Sequence, residues 1–299
     1  MDWVFFSLLA RAAWSADNII DKLLREKYLP DSFVLSLLTG VFALILAILI
    51  IIFNGLRWIG PAPVVLVMLA GAIQLPAVFA FFQAISKEEV SRVIPLFQFT
   101  PPLVLLLSFL FLGETLTPKY YAAFLLILLG GFLISIQKVE KILRLREAFW
   151  WMIFSSLIYA VQAVALKSLY TKYSFWDLTV YLGFGEFLPT LVIVAVLAKS
   201  RNRFIKSLSS LKSIGWMLLV SAVVLVNIAS LSGLWAIATG PVSLVSVMRG
   251  FQSLFTLIFA VFLSIWFPKI LKEELGKGVL GIKLTAILLM GIGLYFIYF

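Results

Sequence analysis

Apolar runs about as long as a bilayer is thick follow one another along the chain, separated by short polar breaks. A helix crosses the hydrocarbon core with about 20 predominantly apolar residues. Runs of that kind occupy residues 3–24, 33–53, 63–85, 90–113, 118–137, 148–170, 175–198, 212–236, 241–266 and 277–298. The pattern predicts ten transmembrane helices and an all-α fold. Strand-period alternation is absent, which argues against a β-barrel. The first run is the most polar, with Arg11, Asp17 and Asp21, and is kept because the second half of the chain repeats its pattern.

Two stretches carry that repeat. DKLLREKY (21–28) aligns with LKSLYTKY (166–173), and AISKEEVSRVIPLFQF (84–99) aligns with AIATGPVSLVSVMRGF (236–251). The expected organisation is two five-helix repeats, residues 1–145 and 146–299. Five crossings end on the opposite side from where they began, so the second copy is inverted relative to the first. Inverted repeats around a midplane site are the build of many secondary transporters.

Composition fixes the solvent. The chain is 63% hydrophobic and 13% charged, whereas soluble domains carry about 45–50% apolar and about 25% charged residues. It is an integral membrane protein, with the lipid bilayer as its first partner. There is no cysteine and no histidine, which removes disulfides, thiol nucleophiles, Cys/His metal sites and histidine proton relays. No cofactor and no metal is expected. The net charge of +10 lies mostly in short loops, as topology-setting charge beside anionic headgroups rather than a nucleic-acid surface. The even-numbered loops hold only Arg57, Lys119, Lys167 and Lys172. The positive-inside rule therefore places the odd loops, including KVEKILRLRE and KSRNRFIKSLSSLK, in the cytoplasm and both termini outside. The expected location is a prokaryotic cytoplasmic membrane. The N-terminus shows no basic leader before its first apolar run, so insertion is expected to be signalled by that helix itself.

Polar groups at membrane depth narrow the function. A mid-helix charge costs roughly 2.5–3.5 kcal/mol on insertion scales and faces a cavity or a partner. Arg11, Asp17, Glu186 and Arg249 are placed so. Arg11, Ser15, Asn18 and Lys22 share one stripe at 100° per residue; Thr179, Gly183, Glu186 and Thr190 share another; Ser246, Arg249, Ser253 and Thr256 a third. Either these charges pair as struts between helices, or they line a substrate cavity that Gln74, Gln98, Gln162, Asn227 and Gln252 complete. Pro76, Pro101, Pro102 and Pro189 fall well inside their runs, where proline removes a helix hydrogen bond. They serve either as hinges beside a cavity or as static bends. Glu114 stands at a run's end before Thr117 and Pro118, an N-cap and first position. It is expected to be structural, holding that turn through backbone amides, with a coupling role as the alternative.

The stretch IPLFQFTPPLVLLLSFLFLGETLTPKYYAAFLLILLGGFLIS (94–135) resembles the fourth and fifth helices of EamA-type proteins of the drug/metabolite transporter superfamily. LLARAAWSADNIIDKLL (8–24) resembles that family's first helix. The resemblance implies a ten-helix transporter with a central cavity between two inverted repeats. Ten-helix relatives are described with both termini inside, opposite to the charge count here. In the second copy SIWFPKILKEELGKG replaces the compact Leu-Gly-Glu turn, so Glu114 has no counterpart there.

The expected function is a secondary transporter that moves a small polar metabolite, an amino acid or similar, by alternating access, as an exporter or exchanger. Arg249 or Arg11 would meet a carboxylate and Glu186 an amine, or Glu186 would carry a coupling proton. The alternative substrate is a nucleotide sugar, sugar phosphate or lipid-linked sugar, with Arg11 and Arg249 clamping phosphate. A membrane enzyme is the reading outside transport, and the chain offers it no Gly-x-Ser-x-Gly, HExxH or P-loop motif.

Overall fold

The computed structural model describes residues 2–87, 93–135, 147–266 and 277–299, and every regular element among them is helical. Helix α1 is Asp2–Lys27, α2 Ser32–Asn54, α3 Pro61–Ala72 and α4 Gln74–Lys87. A 3-10 segment, Ile94–Phe99, leads into α5, Thr100–Leu112, and α6 is Pro118–Ser135. Then come α7 Glu147–Tyr170, α8 Phe175–Val196, α9 Ala198–Ser209, α10 Ser213–Thr239, α11 Val242–Val247, α12 Gly250–Trp266 and α13 Lys277–Tyr298. The repeat boundary expected near residue 145 lies outside the described residues, as do most of KVEKILRLRE and SIWFPKILKEELGKG.

Seven described segments are long and apolar enough to cross a membrane: Phe33–Asn54, Pro61–Ala84, Ala148–Tyr170, Phe175–Val196, Ser213–Thr239, Val242–Phe259 and Gly281–Tyr298. Leu96–Leu112 and Pro118–Ile134 are shorter apolar helices. Large apolar side chains such as Phe53, Leu66, Phe111, Trp150 and Val196 stay exposed on the outside. An apolar surface of that extent is stable only against lipid.

Three of the predicted runs are broken rather than continuous. Ile73 separates α3 from α4, the 3-10 segment ends at Phe99 before α5, and Met248 and Arg249 separate α11 from α12. The prolines explain two of these breaks. Pro101 and Pro102 follow Thr100 in the first turn of α5, and Pro76 lies in the first turn of α4. Their missing amides fall where a helix has no acceptor for them. These prolines open helices instead of interrupting them. Pro189 differs: α8 continues through it.

Small residues let the helices approach. On the two sides of α8, a Cβ on Gly40 of α2 would sit 2.7 Å from the Glu186 carbonyl oxygen, and one on Gly71 of α3 2.5 Å from that of Leu182. Gly183 and Gly185 return the fit against Ala43 and Met68. The closing helices α6 and α13 interlock likewise, Gly130 against Ala286 and Gly293 against Ala123 and Ile127. Close backbone approach through small residues is how helices associate where no hydrophobic effect drives them.

The stretch KSRNRFIKSLSSLK is not a plain loop. It forms α9, with Phe204 and Leu208 half-buried against Leu24, Val34 and Leu211. Asp31 caps α2, accepting from the Phe33 and Val34 amides at 3.0 and 3.3 Å, and also pairs with Arg203 of α9, whose Nη2 donates at 2.8 Å. An amphipathic helix with a basic face suits the bilayer interface.

Candidate functional site

Helices α1, α5, α7, α10 and α11 converge on a cavity of about 30 Å³, lined by Arg11, Thr100, Val104, Tyr159, Ser246 and Arg249 among others. Arg11 is delivered by α1, which lies along α10 and α12. Ser15, one turn on, donates to the Gln252 carbonyl at 2.7 Å and so locks α1 against α12. Arg249 is delivered by a break. Helix α11 ends at Val247, and the Arg249 amide donates to the Ser246 carbonyl at 3.1 Å. Gly250 then restarts the chain so close to α6 that a Cβ would meet Gly131 Cα at 3.1 Å. The guanidinium lies over two rings, 5.3 Å from the Tyr159 centroid and 5.8 Å from that of Phe97. Cation–π contact with two faces holds the group's plane at the cavity.

A second polar assembly lies around the break between α3 and α4. Gln162 Nε2 donates to the Ala70 carbonyl at 2.8 Å and to Gln74 Oε1 at 3.1 Å, and Gln74 Nε2 donates to Glu186 Oε2 at 3.3 Å. The chain of amides thus satisfies a carbonyl near the end of α3 and ends on a carboxylate. Inside a bilayer, side chains must take over where helix hydrogen bonds stop. Tyr159 lines the cavity and lies under the Arg249 guanidinium, one turn before Gln162 on α7.

Of the residues read from sequence as cavity lining, Arg11 and Arg249 line the central cavity, while Gln74, Gln162 and Glu186 form the separate network. Gln98 is buried in the 3-10 segment beside Gly131, its Oε1 without a hydrogen-bond partner among the described residues. Asn18 is exposed, Asn227 is half-buried away from the cavity, and Gln252 contributes its backbone carbonyl to Ser15. The stripe through Ser246 and Thr256 is not one helical face, because the break at Arg249 divides it. Thr100 is a cavity residue that polarity alone did not single out, because its place at the start of α5 did not show in hydropathy, whereas Ser246 was read on the Arg249 stripe.

Glu114 accepts from the Val242 and Ser243 amides, both at 3.0 Å. The turn it holds is the start of α11, not the one before α6. Lys167 Nζ donates to the Gly240 and Ala238 carbonyls at 2.8 and 3.1 Å, at the end of α10. Ser108 and Ser243 hydroxyls bond at 2.8 Å beside it.

The comparisons with known proteins join this geometry to a family. Residues 1–136 match the model of the EamA-like transporter family. That stretch, a little under half of the chain, is similar to the EamA-like transporters. It contains α1 to α6 and therefore Arg11, Thr100 and Glu114, so the EamA-like part supplies one of the two cavity arginines and the acid that holds α11. No curated protein matches the chain. A solved crystal structure, at 17% identity and a TM-score of 0.70, covers 97% of this chain and 94% of its own. At that identity the likeness shows a shared fold alone. The EamA-like match over residues 1–136 and the apolar helices support a membrane transporter.

Proposed function

We propose that the protein is a secondary transporter in which two inverted five-helix repeats enclose the arginine cavity and move a small polar metabolite by alternating access. Helix α1 counts as the first crossing, and each broken run among the described residues as one. The observation that supports the reading is a partial symmetry in the packing of these crossings, from which the α3–α8 contact departs because its counterpart, α2 with α10, is slight. Exchange of crossing n with crossing n + 5 turns the α1–α10 contact into that of α7 with α3 and α4, and the α1–α12 contact into that of α7 with α5. The contacts of α2 with α8, α5 with α11 and α6 with α13 exchange into themselves. Such a pairing supports a two-fold relation between the halves, and five crossings per copy would put its axis in the membrane plane.

The broken helices meet at the cavity, where Arg249 is presented from a break and Thr100 from the helix start after another. These are the points at which one half rocks against the other. Glu186, half-buried and held by Gln74, is the group for a coupling proton, with export or exchange as the mode. The positive-inside count sets the orientation, with α9 on the cytoplasmic face and both termini outside. Sugar phosphates, nucleotide sugars and lipid-linked sugars are the second substrate class.

Proteoliposomes loaded with the small-molecule fraction of a cell extract test the transport reading. Mass spectrometry of the external medium is expected to show one solute class released unmodified, only with protein present. Release of nothing, or of chemically altered material alone, overturns it.

A further inference from the structure

We propose that the central cavity is an anion site in which Arg11 and Arg249 together hold the carboxylate or phosphate group of the carried solute; the inference rests on the transport reading and names its substrate class. Arg11 and Arg249 both line one space, and no Asp or Glu is among its lining residues. Arg11 Nε, Arg249 Nε and Thr100 Oγ1 are each buried without a hydrogen-bond partner among the described residues. Two like charges brought together away from water oppose each other, and unmet buried donors add to that cost. A group with two acceptor oxygens and negative charge relieves both at once, through charge-assisted hydrogen bonds.

The nearby carboxylates do not supply that group. Glu186 is engaged by Gln74, and Glu114 by the amides of Val242 and Ser243. Asp17 lies six residues beyond Arg11 on α1, which turns it about 120° away around the helix. The rings of Tyr159 and Phe97 fix the Arg249 guanidinium, so its free donor edge is set for a planar or tetrahedral oxyanion. A space of about 30 Å³ admits the charged group of a solute but not a whole metabolite, which needs a pocket roughly ten times larger. Arg11 belongs to the first half of the chain and Arg249 to the second, so an anion between them ties the halves together and makes binding drive closure.

Thermal unfolding of the purified full-length protein, titrated at constant ionic strength with inorganic phosphate, succinate, chloride or putrescine, tests this. Phosphate or succinate is expected to raise the midpoint saturably, chloride and putrescine not, and the stronger of the two anions tells phosphate from carboxylate solutes. Arg11→Gln and Arg249→Gln are each expected to weaken that anion's apparent affinity by about tenfold or more, with Arg249→Lys recovering part of the loss. The saturation constant is compared, not the starting midpoint, so a variant that is merely less stable is not mistaken for one that fails to bind. Unchanged affinity in both glutamine variants, or saturable stabilisation by putrescine alone, overturns the anion site. Should proteoliposomes release a neutral or cationic solute unmodified while neither anion binds, the anion site falls and transport stands. Saturable anion binding lost in the glutamine variants, with no solute released, would keep the site and remove transport.

Discussion

Lys167 and Glu114 hold one turn from its two ends. Lys167 Nζ donates to the Gly240 carbonyl at 2.8 Å where α10 stops, and Glu114 accepts the Val242 and Ser243 amides at 3.0 Å where α11 starts. Each charge has the sign that its helix end favours, a cation at orphan carbonyls and an anion at orphan amides. Helix α11 is the short helix that ends beside Arg249, so the grip fixes one wall of the cavity.

Loss of that grip is measurable. Glu114→Ala is expected to lower stability by about 1–2 kcal/mol, the range of a lost helix cap, and Glu114→Gln by less because one acceptor oxygen remains. A double-mutant cycle with Lys167→Met, followed by thermal unfolding, should show coupling between the two residues, since they hold the two sides of one turn, Ala238 and Gly240 on one and Val242 and Ser243 on the other. Strict additivity would mean that each end is held independently.

The glycines around α8 give a sharper steric test. Gly71→Ala is expected to push α8 from α3 and cost several kcal/mol, or prevent folding, because backbone atoms and not side-chain ends stand in the way. Gly291→Ala, at a position with nothing within 4 Å, is expected to change stability by less than about 0.5 kcal/mol. Expression and unfolding midpoints of the two variants, measured side by side, check the contrast.

Glu186 and Gln74 are expected to separate coupling from movement. With Glu186→Gln, uptake driven by a pH gradient should fall at least tenfold in proteoliposomes while counterflow of the same solute persists. Gln74→Ala, which removes the donor at 3.3 Å from Glu186 Oε2, should reduce the driven rate less. An unchanged dependence on the gradient in Glu186→Gln would assign the carboxylate to packing.

Asp31 does two jobs that substitution can divide. Asp31→Asn keeps an acceptor for the Phe33 and Val34 amides but loses the charge facing Arg203, and is expected to cost less than about 1 kcal/mol. Asp31→Ala loses both and should cost about 1–2 kcal/mol more. Equal effects of the two would place all of the contribution in the ion pair.

Much of the fold was legible because hydropathy is a local property. The run at 33–53 became Phe33–Asn54, and the charges of Arg11 and Arg249 marked the residues that meet at the cavity. Other features depend on contacts that no local pattern carries. Glu114 reads as a local turn residue because its partners lie 128 and 129 residues away. The breaks at Ile73 and Met248 fall in apolar sequence that would also suit a continuous helix, and only Pro76 hints at the first. Helix α9 was hidden by its charge, although Phe204, Ile205 and Leu208 among Lys and Arg form an amphipathic repeat that could have revealed it. Glu186 and Arg249 shared the property of being charged at depth, but which charges share a space is decided by helix packing.

The natural chain has no cysteine, so one placed at Ser246 reports on the cavity alone. Proteoliposomes carrying Ser246→Cys can be treated with a membrane-impermeant thiol reagent from the outside or, preloaded, from the inside. Alternating access requires labelling from both sides, with each slowed by saturating transported solute. Labelling from one side only, whatever the solute, would contradict a carrier built around Arg11 and Arg249.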